Sequence, residues 1–150
     1  MPRLLVVHHT PSPATHSLLE QVRSGAGTPE IEGVEVVVRP ALSTTASDVL
    51  EADGYLLGTP ANLGYMSGGL KVFFDSVYYL ALEATAGRPY GLYVHGNNDV
   101  DGAIASVEKV VTGLRWKAVQ PPLKVIGTPS RDDLDAAWNL GATVAASLTL

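Results

Sequence analysis

Hydroxyl side chains cluster near the start of the sequence, at a position where they could bind an anion. Thr10, Ser12 and Thr15 follow a short apolar segment and lead into a stretch with helical spacing. Hydroxyls and free N–H groups at the start of a helix suit a phosphate, because the donors and the positive end of the helix dipole both face it. A helix cap with nothing bound is the alternative interpretation of the same pattern. Pro11 and Pro13 each remove one N–H donor from this stretch.

Two further polar stretches also follow apolar runs. The first follows Gly54-Tyr55-Leu56-Leu57 and contains the turn formers Pro60, Asn62 and Gly64. The second is His95-Gly96-Asn97-Asn98-Asp99. Its amides and N–H groups could form hydrogen bonds with a ring that carries carbonyls and ring nitrogens. A turn that uses Asn and Gly for their backbone tolerance is the alternative.

Strands and helices alternate along the chain, and these elements must position the three polar stretches. Apolar runs predict strands at Arg3–His8, Val34–Arg39, Tyr55–Gly58, Tyr90–His95 and Val119–Ile126, the last broken by Pro121-Pro122. Helical spacing predicts helices over 15–25, 46–52, 67–84 and 101–114, and a last helix capped by Ser130. Strict alternation predicts a parallel sheet with helices on both faces, a three-layer α/β/α sandwich. Loops that follow parallel strands meet at the carboxyl edge, so the polar stretches are expected to meet there.

Composition bounds the class of protein. With 150 residues, 46% of them hydrophobic, the sequence predicts a single domain over 1–150. A net charge of −5 argues against a nucleic-acid partner. No apolar run approaches the roughly 18 residues that span a bilayer, and the first residues do not form a signal peptide, so we expect a cytoplasmic protein with no membrane partner. There is no cysteine, and the adjacent His8 and His9 point to opposite faces of a strand, so we expect no metal site.

A longer motif links these stretches to a known family. It consists of Gly58-Thr59-Pro60, Asn62, Gly64, Met66-Ser67-Gly68, Leu70-Lys71, Phe73 and Asp75. This motif resembles the corresponding segment of the flavodoxin-like NAD(P)H:quinone oxidoreductases and NADPH-dependent FMN reductases. The spacing of Thr10, Ser12 and Thr15 is similar to that of the flavodoxin phosphate loop.

The resemblance implies a fold, a cofactor and a set of site residues. The implied fold has a five-stranded parallel sheet in the flavodoxin-like order 2-1-3-4-5, and the implied cofactor is FMN. The residues implied to hold the phosphate are Thr10, Ser12 and Thr15. Those implied to flank the ring are Pro60, Ala61, Asn62, Leu63, Gly64 and Tyr65. Those implied to lie at the polar edge of the ring are Gly96, Asn97 and Asn98, with His95 as the titratable group nearby.

The resemblance also implies an activity. An oxidoreductase of this kind takes a hydride from NAD(P)H and passes electrons to a quinone or a similar small-molecule acceptor. We assign no side chain as a catalytic acid or base. A flavodoxin-like electron carrier and a flavin-free interaction module of the same fold are the alternatives. Carriers bracket the flavin with aromatic residues from both loops, and residues 96–99 contain none, which favours the reductase.

The helix predicted over 67–84 suggests association between copies of the chain. Val72, Tyr79 and Leu80 lie off its apolar core face. Several apolar residues in one exposed patch are typical of a partner surface. We therefore expect a homodimer or a tetramer, with Tyr78 or Tyr79 at the contact.

Overall fold

The computed structural model, which describes residues 1–150, contains seven strands and five α-helices. The strands are β1 (Arg3–His8), β2 (Glu35–Pro40), β3 (Gly54–Asn62), β4 (Tyr65–Met66), β5 (Pro89–Gly96), β6 (Lys117–Ala118) and β7 (Leu123–Ile126). The helices are α1 (Pro13–Ala26), α2 (Ala46–Glu51), α3 (Gly68–Ala81), α4 (Asp101–Leu114) and α5 (Arg131–Ser147), with a short 3₁₀ helix at Ala41–Ser43. The predicted alternation of strand and helix is confirmed.

The sheet has the order β2-β1-β3-β5-β6, with β7 also beside β5 and β4 beside β3. All pairs are parallel except β3 with β4. The predicted order is therefore confirmed, but the expected count of five strands is too low. Of the last predicted strand, Val119–Ile126, only β7 forms, after Pro121-Pro122, because prolines cannot donate to the ladder. The two-residue β6 lies just before the predicted range. The short β4 was not expected.

The third strand is longer than the sequence predicts, and this corrects the interpretation of the loop that follows it. β3 runs on past Gly58 to Asn62, so Pro60 and Asn62 lie in a strand and not in a turn. β1 ends at His8, opposite Gly58, so beyond that point β3 is no longer paired with β1. A proline is tolerated where a strand is paired on one side only. Pairing with β5 on the other side, and with β4 at the end, overrides the local preference for a turn.

Two apolar layers enclose the sheet. Successive residues of β1 face opposite layers: Leu5 and Val7 pack in the layer with α2, α3 and α4, and Leu4 and Val6 pack in the layer with α1 and α5. Burial of both faces explains why the strand is almost entirely apolar. None of the helices has both the length and the apolar composition needed to cross a bilayer. The polar residues that could form a site therefore lie beyond this core, at the carboxyl ends of the strands.

Candidate functional site

Two adjoining cavities lie at the carboxyl edge of the sheet. The smaller, of about 220 Å³, lies between the loops that follow β1, β3 and β5. The larger, of about 470 Å³, lies between the start of α1, the end of β5 and the loop after β7. Ser12, His95 and Asn97 line both cavities. The expected meeting of the three polar stretches at one edge is confirmed.

The predicted site residues divide into two groups by their place at these cavities. Those that line one or both cavities are Ser12, Pro60, Ala61, Asn62, His95, Gly96 and Asn97. Those that line neither are Thr10, Thr15, Leu63, Gly64, Tyr65 and Asn98. The members of the second group lie close in sequence to those of the first.

The loop after β1 forms a capping box. The Ser12 hydroxyl accepts the N–H of Thr15 at 3.2 Å, and the Ser12 N–H donates to Thr15 Oγ1 at 3.1 Å. Thr15 is fully buried, and its hydroxyl also donates to the Ser12 carbonyl. Of the N–H groups that a helix start leaves unpaired, these bonds satisfy two and Pro13 has none, so the N–H of Ala14 remains. Ala14 lines the larger cavity.

Thr10 lies beside the first strand and not at either cavity. Its Oγ1 is 2.7 Å from Nδ1 of His8. Burial, with smaller contributions from Arg23 and His9, lowers the pKa of His8, so that its ring is neutral at pH 7. The Thr10 hydroxyl is therefore used within the chain.

A tight hairpin connects β3 to β4 at the rim of the smaller cavity. Leu63 and Gly64 form its tip with positive φ angles of 50° and 76°. Glycine adopts a positive φ without a steric penalty, which suits Gly64 to this position. Ala61 pairs with Met66, and Asn62 pairs with Tyr65. The side chains of Leu63 and Tyr65 are exposed, Leu63 completely, and neither residue lines the cavity.

The loop after β5 is tied to the loop after β7. Nε2 of His95 lies 2.8 Å from the Gly127 carbonyl oxygen, and the N–H of Gly127 donates to the Gly96 carbonyl at 2.8 Å. Because a carbonyl only accepts, Nε2 of His95 carries the proton in this bond. Asn97 is exposed at the mouth of both cavities. Asn98 instead uses its Oδ1 to accept the N–H of Asp99.

A fourth loop, which the sequence reasoning missed, completes the larger cavity. Gly127, Thr128 and Pro129 follow β7 and form one of its walls. The sequence held a signal for them, because they form a polar stretch after an apolar strand, as in the other three loops. Ser130 was interpreted only as the cap of the last helix, a role that the structure confirms through its bond from the Asp133 N–H.

Charged side chains do not line either cavity. Lys71 is paired with Asp75 at 2.6 Å, and Lys124 with Asp101 at 2.8 Å. An anion bound here would therefore depend on N–H groups, hydroxyls and the dipole of α1.

Packing within the sheet explains one glycine of the longer motif. A Cβ at Gly58 would lie 2.0 Å from Cζ of Tyr93, so the Tyr93 ring occupies the space that a side chain would need. The Tyr93 hydroxyl is buried without a hydrogen-bond partner, and burial raises the pKa of Tyr93 far above its ordinary value. The role of Gly58 is therefore to accommodate this ring.

Comparison with known proteins relates the chain to flavodoxins and quinone reductases. It is 39% identical over 77 residues to a flavodoxin of Aquifex aeolicus, a match that covers 51% of this chain and 40% of that protein. It is 28% identical over 109 residues to an Arabidopsis thaliana protein named "Probable NAD(P)H dehydrogenase (quinone) FQR1-like 2", covering 72% of this chain and 36% of that protein. A solved archaeal flavodoxin superposes with a TM-score of 0.81 at 16% identity, over 99% of both chains.

These matches establish the fold. The chain has the flavodoxin-like fold, and its relatives include proteins named flavodoxin and quinone oxidoreductase. No protein-family model matches the sequence. The matches cover 40% and 36% of the two curated relatives, so the chain spans less than half of their length.

Proposed function

We propose that this chain binds FMN at the carboxyl edge of its sheet and acts as an oxidoreductase that passes electrons from NAD(P)H to a quinone or a similar acceptor. The observation that carries the proposal is the pair of adjoining cavities that share Ser12, His95 and Asn97. The volume of the larger, about 470 Å³, lies in the range of small-molecule sites. The relatives named flavodoxin and NAD(P)H dehydrogenase (quinone) support the same function.

The residues at the edge fit the two ends of FMN. The Ser12 hydroxyl and the N–H of Ala14 lie at the positive end of α1, where a phosphate is favoured. Thr15 holds Ser12 in place through the capping box, which gives it a supporting role. Pro60, Ala61 and Asn62 form a wall for the ring, and Asn97 can form hydrogen bonds with its polar edge.

Bound FMN would supply the redox chemistry, accepting a hydride and passing on electrons. The chain binds and orients the group and contributes no charged side chain to the cavity walls. His95, held by the Gly127 carbonyl, presents a fixed ring to both cavities. Gly96 is required by packing, because a Cβ there would lie 2.8 Å from Cγ1 of Val100.

An electron carrier is the second candidate, and the similarity to the Aquifex flavodoxin favours it. Against it, no aromatic residue lines either cavity, and Tyr65 lies exposed beside the hairpin tip. The two functions differ in whether a nicotinamide reacts directly. Steady oxidation of NADH or NADPH by the FMN-loaded protein with a quinone supports the reductase. A flavin that only a separate reductase can reduce supports the carrier.

We also propose that the chain forms a homo-oligomer through the outer face of α3. On this face the side chains of Val72, Tyr79 and Leu80 are 51%, 83% and 63% exposed. The rings of Tyr78 and Tyr79 contact each other edge to face beside them. Apolar side chains grouped on one exposed face are typical of a partner surface. Sedimentation at micromolar concentration tests this, and a monomer near 15.8 kDa would contradict it.

A further inference from the structure

The hairpin between β3 and β4 has a strained residue at its tip, which its own side chain does not stabilise. Leu63 has a φ of 50°, a conformation that residues other than glycine rarely adopt. Its side chain is completely exposed and so contributes no packing. Backbone in such a conformation persists only where the surrounding structure holds it. The backbone pairs of the hairpin, Ala61 with Met66 and Asn62 with Tyr65, hold it from within, and further contacts hold it from outside.

Two residues of α4 provide those contacts. A Cβ at Gly102 would lie 2.2 Å from the Gly64 carbonyl oxygen, so the backbone at the hairpin tip rests directly on this glycine. One turn further along α4, Ser106 Oγ accepts the N–H of Met66 at 3.1 Å and donates its own proton to the Ala103 carbonyl. We call this pair, Gly102 and Ser106, the hairpin seat.

A third contact joins the two arms of the hairpin at its base. The N–H of Ser67 donates to Thr59 Oγ1 at 3.0 Å, and that hydroxyl donates to the Pro60 carbonyl at 2.8 Å. Thr59 therefore holds the base of the hairpin, and the hairpin seat holds its tip. Ala61 and Asn62, which line the smaller cavity, lie on this held segment.

We infer that Gly102 and Ser106 are positioning residues that set the width of the ring-binding cavity without touching the ligand. The inference rests on the proposed function, because it concerns the wall of that same site. The absence of a side chain at Gly102 lets the hairpin approach α4 and sets the position of Ala61 and Asn62. Adding one methyl group there would move the tip by about 1 Å to restore a normal contact distance. Binding sites lose affinity when their walls move by this amount.

The test compares two Gly→Ala substitutions in the same helix. Gly102→Ala places a methyl against hairpin backbone, whereas Gly113→Ala places one 2.3 Å from the end of the Tyr78 side chain, which can rotate away. Both variants gain helix propensity, but only Gly102→Ala must displace backbone, so the unfolding midpoint of each variant is measured beside its flavin affinity. Dissociation constants for FMN and riboflavin are measured by quenching of flavin fluorescence. The visible circular dichroism of bound FMN reports the surroundings of the ring.

For Gly102→Ala we expect FMN and riboflavin to bind about tenfold more weakly or worse, with their affinity ratio unchanged and the circular dichroism altered. Gly113→Ala should stay within about twofold of the unaltered protein, a difference that is small beside a tenfold effect. Ser106→Ala removes the acceptor of the Met66 N–H and should weaken the binding of both flavins several-fold. It is the second test of the inference if Gly102→Ala does not fold. Unchanged flavin affinity in Gly102→Ala or Ser106→Ala would overturn this inference and leave FMN binding in place. Failure of the unaltered protein to bind FMN would overturn the proposed function and this inference together.

Discussion

The two edges of the sheet are built in opposite ways. At the amino edge, Arg88 donates from one guanidinium nitrogen to the Val49, Leu50 and Ala52 carbonyls at 3.3, 3.0 and 2.6 Å, which closes the end of α2. Trp116 stacks on Tyr55 with ring centroids 3.9 Å apart. At the carboxyl edge the loops enclose two cavities and expose amide side chains.

This difference predicts that the amino edge contributes to stability and the carboxyl edge to ligand binding. Polar groups of the amino edge find partners inside the chain, as the Trp116 N–H does with Thr85 Oγ1 at 2.8 Å. At the carboxyl edge only some of the polar groups have hydrogen-bond partners inside the chain. The N–H of Ala14 has none, and Ala14 lines the larger cavity. Substitutions at the amino edge should therefore change the free energy of unfolding, and those at the carboxyl edge should change ligand affinity.

The largest expected effect is on stability. Trp116→Ala removes the stack on Tyr55 and the hydrogen bond to Thr85, and should lower the free energy of unfolding by about 3–5 kcal/mol. Trp116→Phe keeps a ring in place and should cost less. Urea unfolding measures both variants. FMN affinity under conditions where each remains folded should not change, and a large loss of affinity would remove the distinction between the edges.

The hairpin tip should show the opposite behaviour. Gly64→Val forces a β-branched residue into a positive φ of 76° and should abolish flavin binding. Gly33 is a matched control, because it has a φ of 81°, is exposed and, like Gly64, has nothing within 4 Å of an added Cβ. Gly33→Val should reduce stability by a similar amount, about 1–2 kcal/mol, and leave flavin binding intact. Equal flavin affinity in the two variants would show that the hairpin is only a connection.

The phosphate end of the site should show a smaller effect on affinity. Ser12→Ala removes a hydroxyl that lines both cavities, and a hydrogen bond to a charged group contributes about 1.5–3 kcal/mol. The variant should therefore lose most of the preference for FMN over riboflavin. Thr45 forms the same kind of capping box on α2 but lines neither cavity. Thr45→Ala should lose about 1 kcal/mol of stability and keep the preference. An undiminished preference in Ser12→Ala would place the phosphate elsewhere.

The smallest expected effect lies in the middle of the sheet. Tyr93→Phe removes a buried hydroxyl that has no partner, so the free energy of unfolding should stay the same or rise by about 1 kcal/mol. Thermal unfolding measures it, and the affinity for FMN should not change. A clear loss of stability would show that the hydroxyl has a partner in solution.

The fold was predictable because alternation repeats along the whole chain, and each helix shows apolar spacing. The end of β3 was not predictable, because Pro60 and Asn62 favour turns locally. Only the pairing with β4 and β5 places them in a strand. Distant pairings of this kind leave no local signal.

The candidate site was predictable in part for a similar reason. The rule that loops gather at the carboxyl edge located Ser12, His95 and Asn97, which line both cavities. It could not show that Thr15 is committed to a cap, because a capping hydroxyl and a ligand-binding hydroxyl have the same sequence pattern. The sequence also could not predict the hairpin seat on α4, because it depends on a contact between Gly64 and Gly102, which are distant in sequence.

The central claim is that the carboxyl edge binds FMN through its phosphate and its ring together. Titration of the purified chain with FMN, riboflavin and FAD, followed by flavin fluorescence, tests it most directly. We predict saturable binding of FMN at one site per chain, with riboflavin weaker by at least about tenfold, because it lacks the charged group that α1 would bind. Equal affinities for FMN and riboflavin, or no binding of either, would contradict the claim.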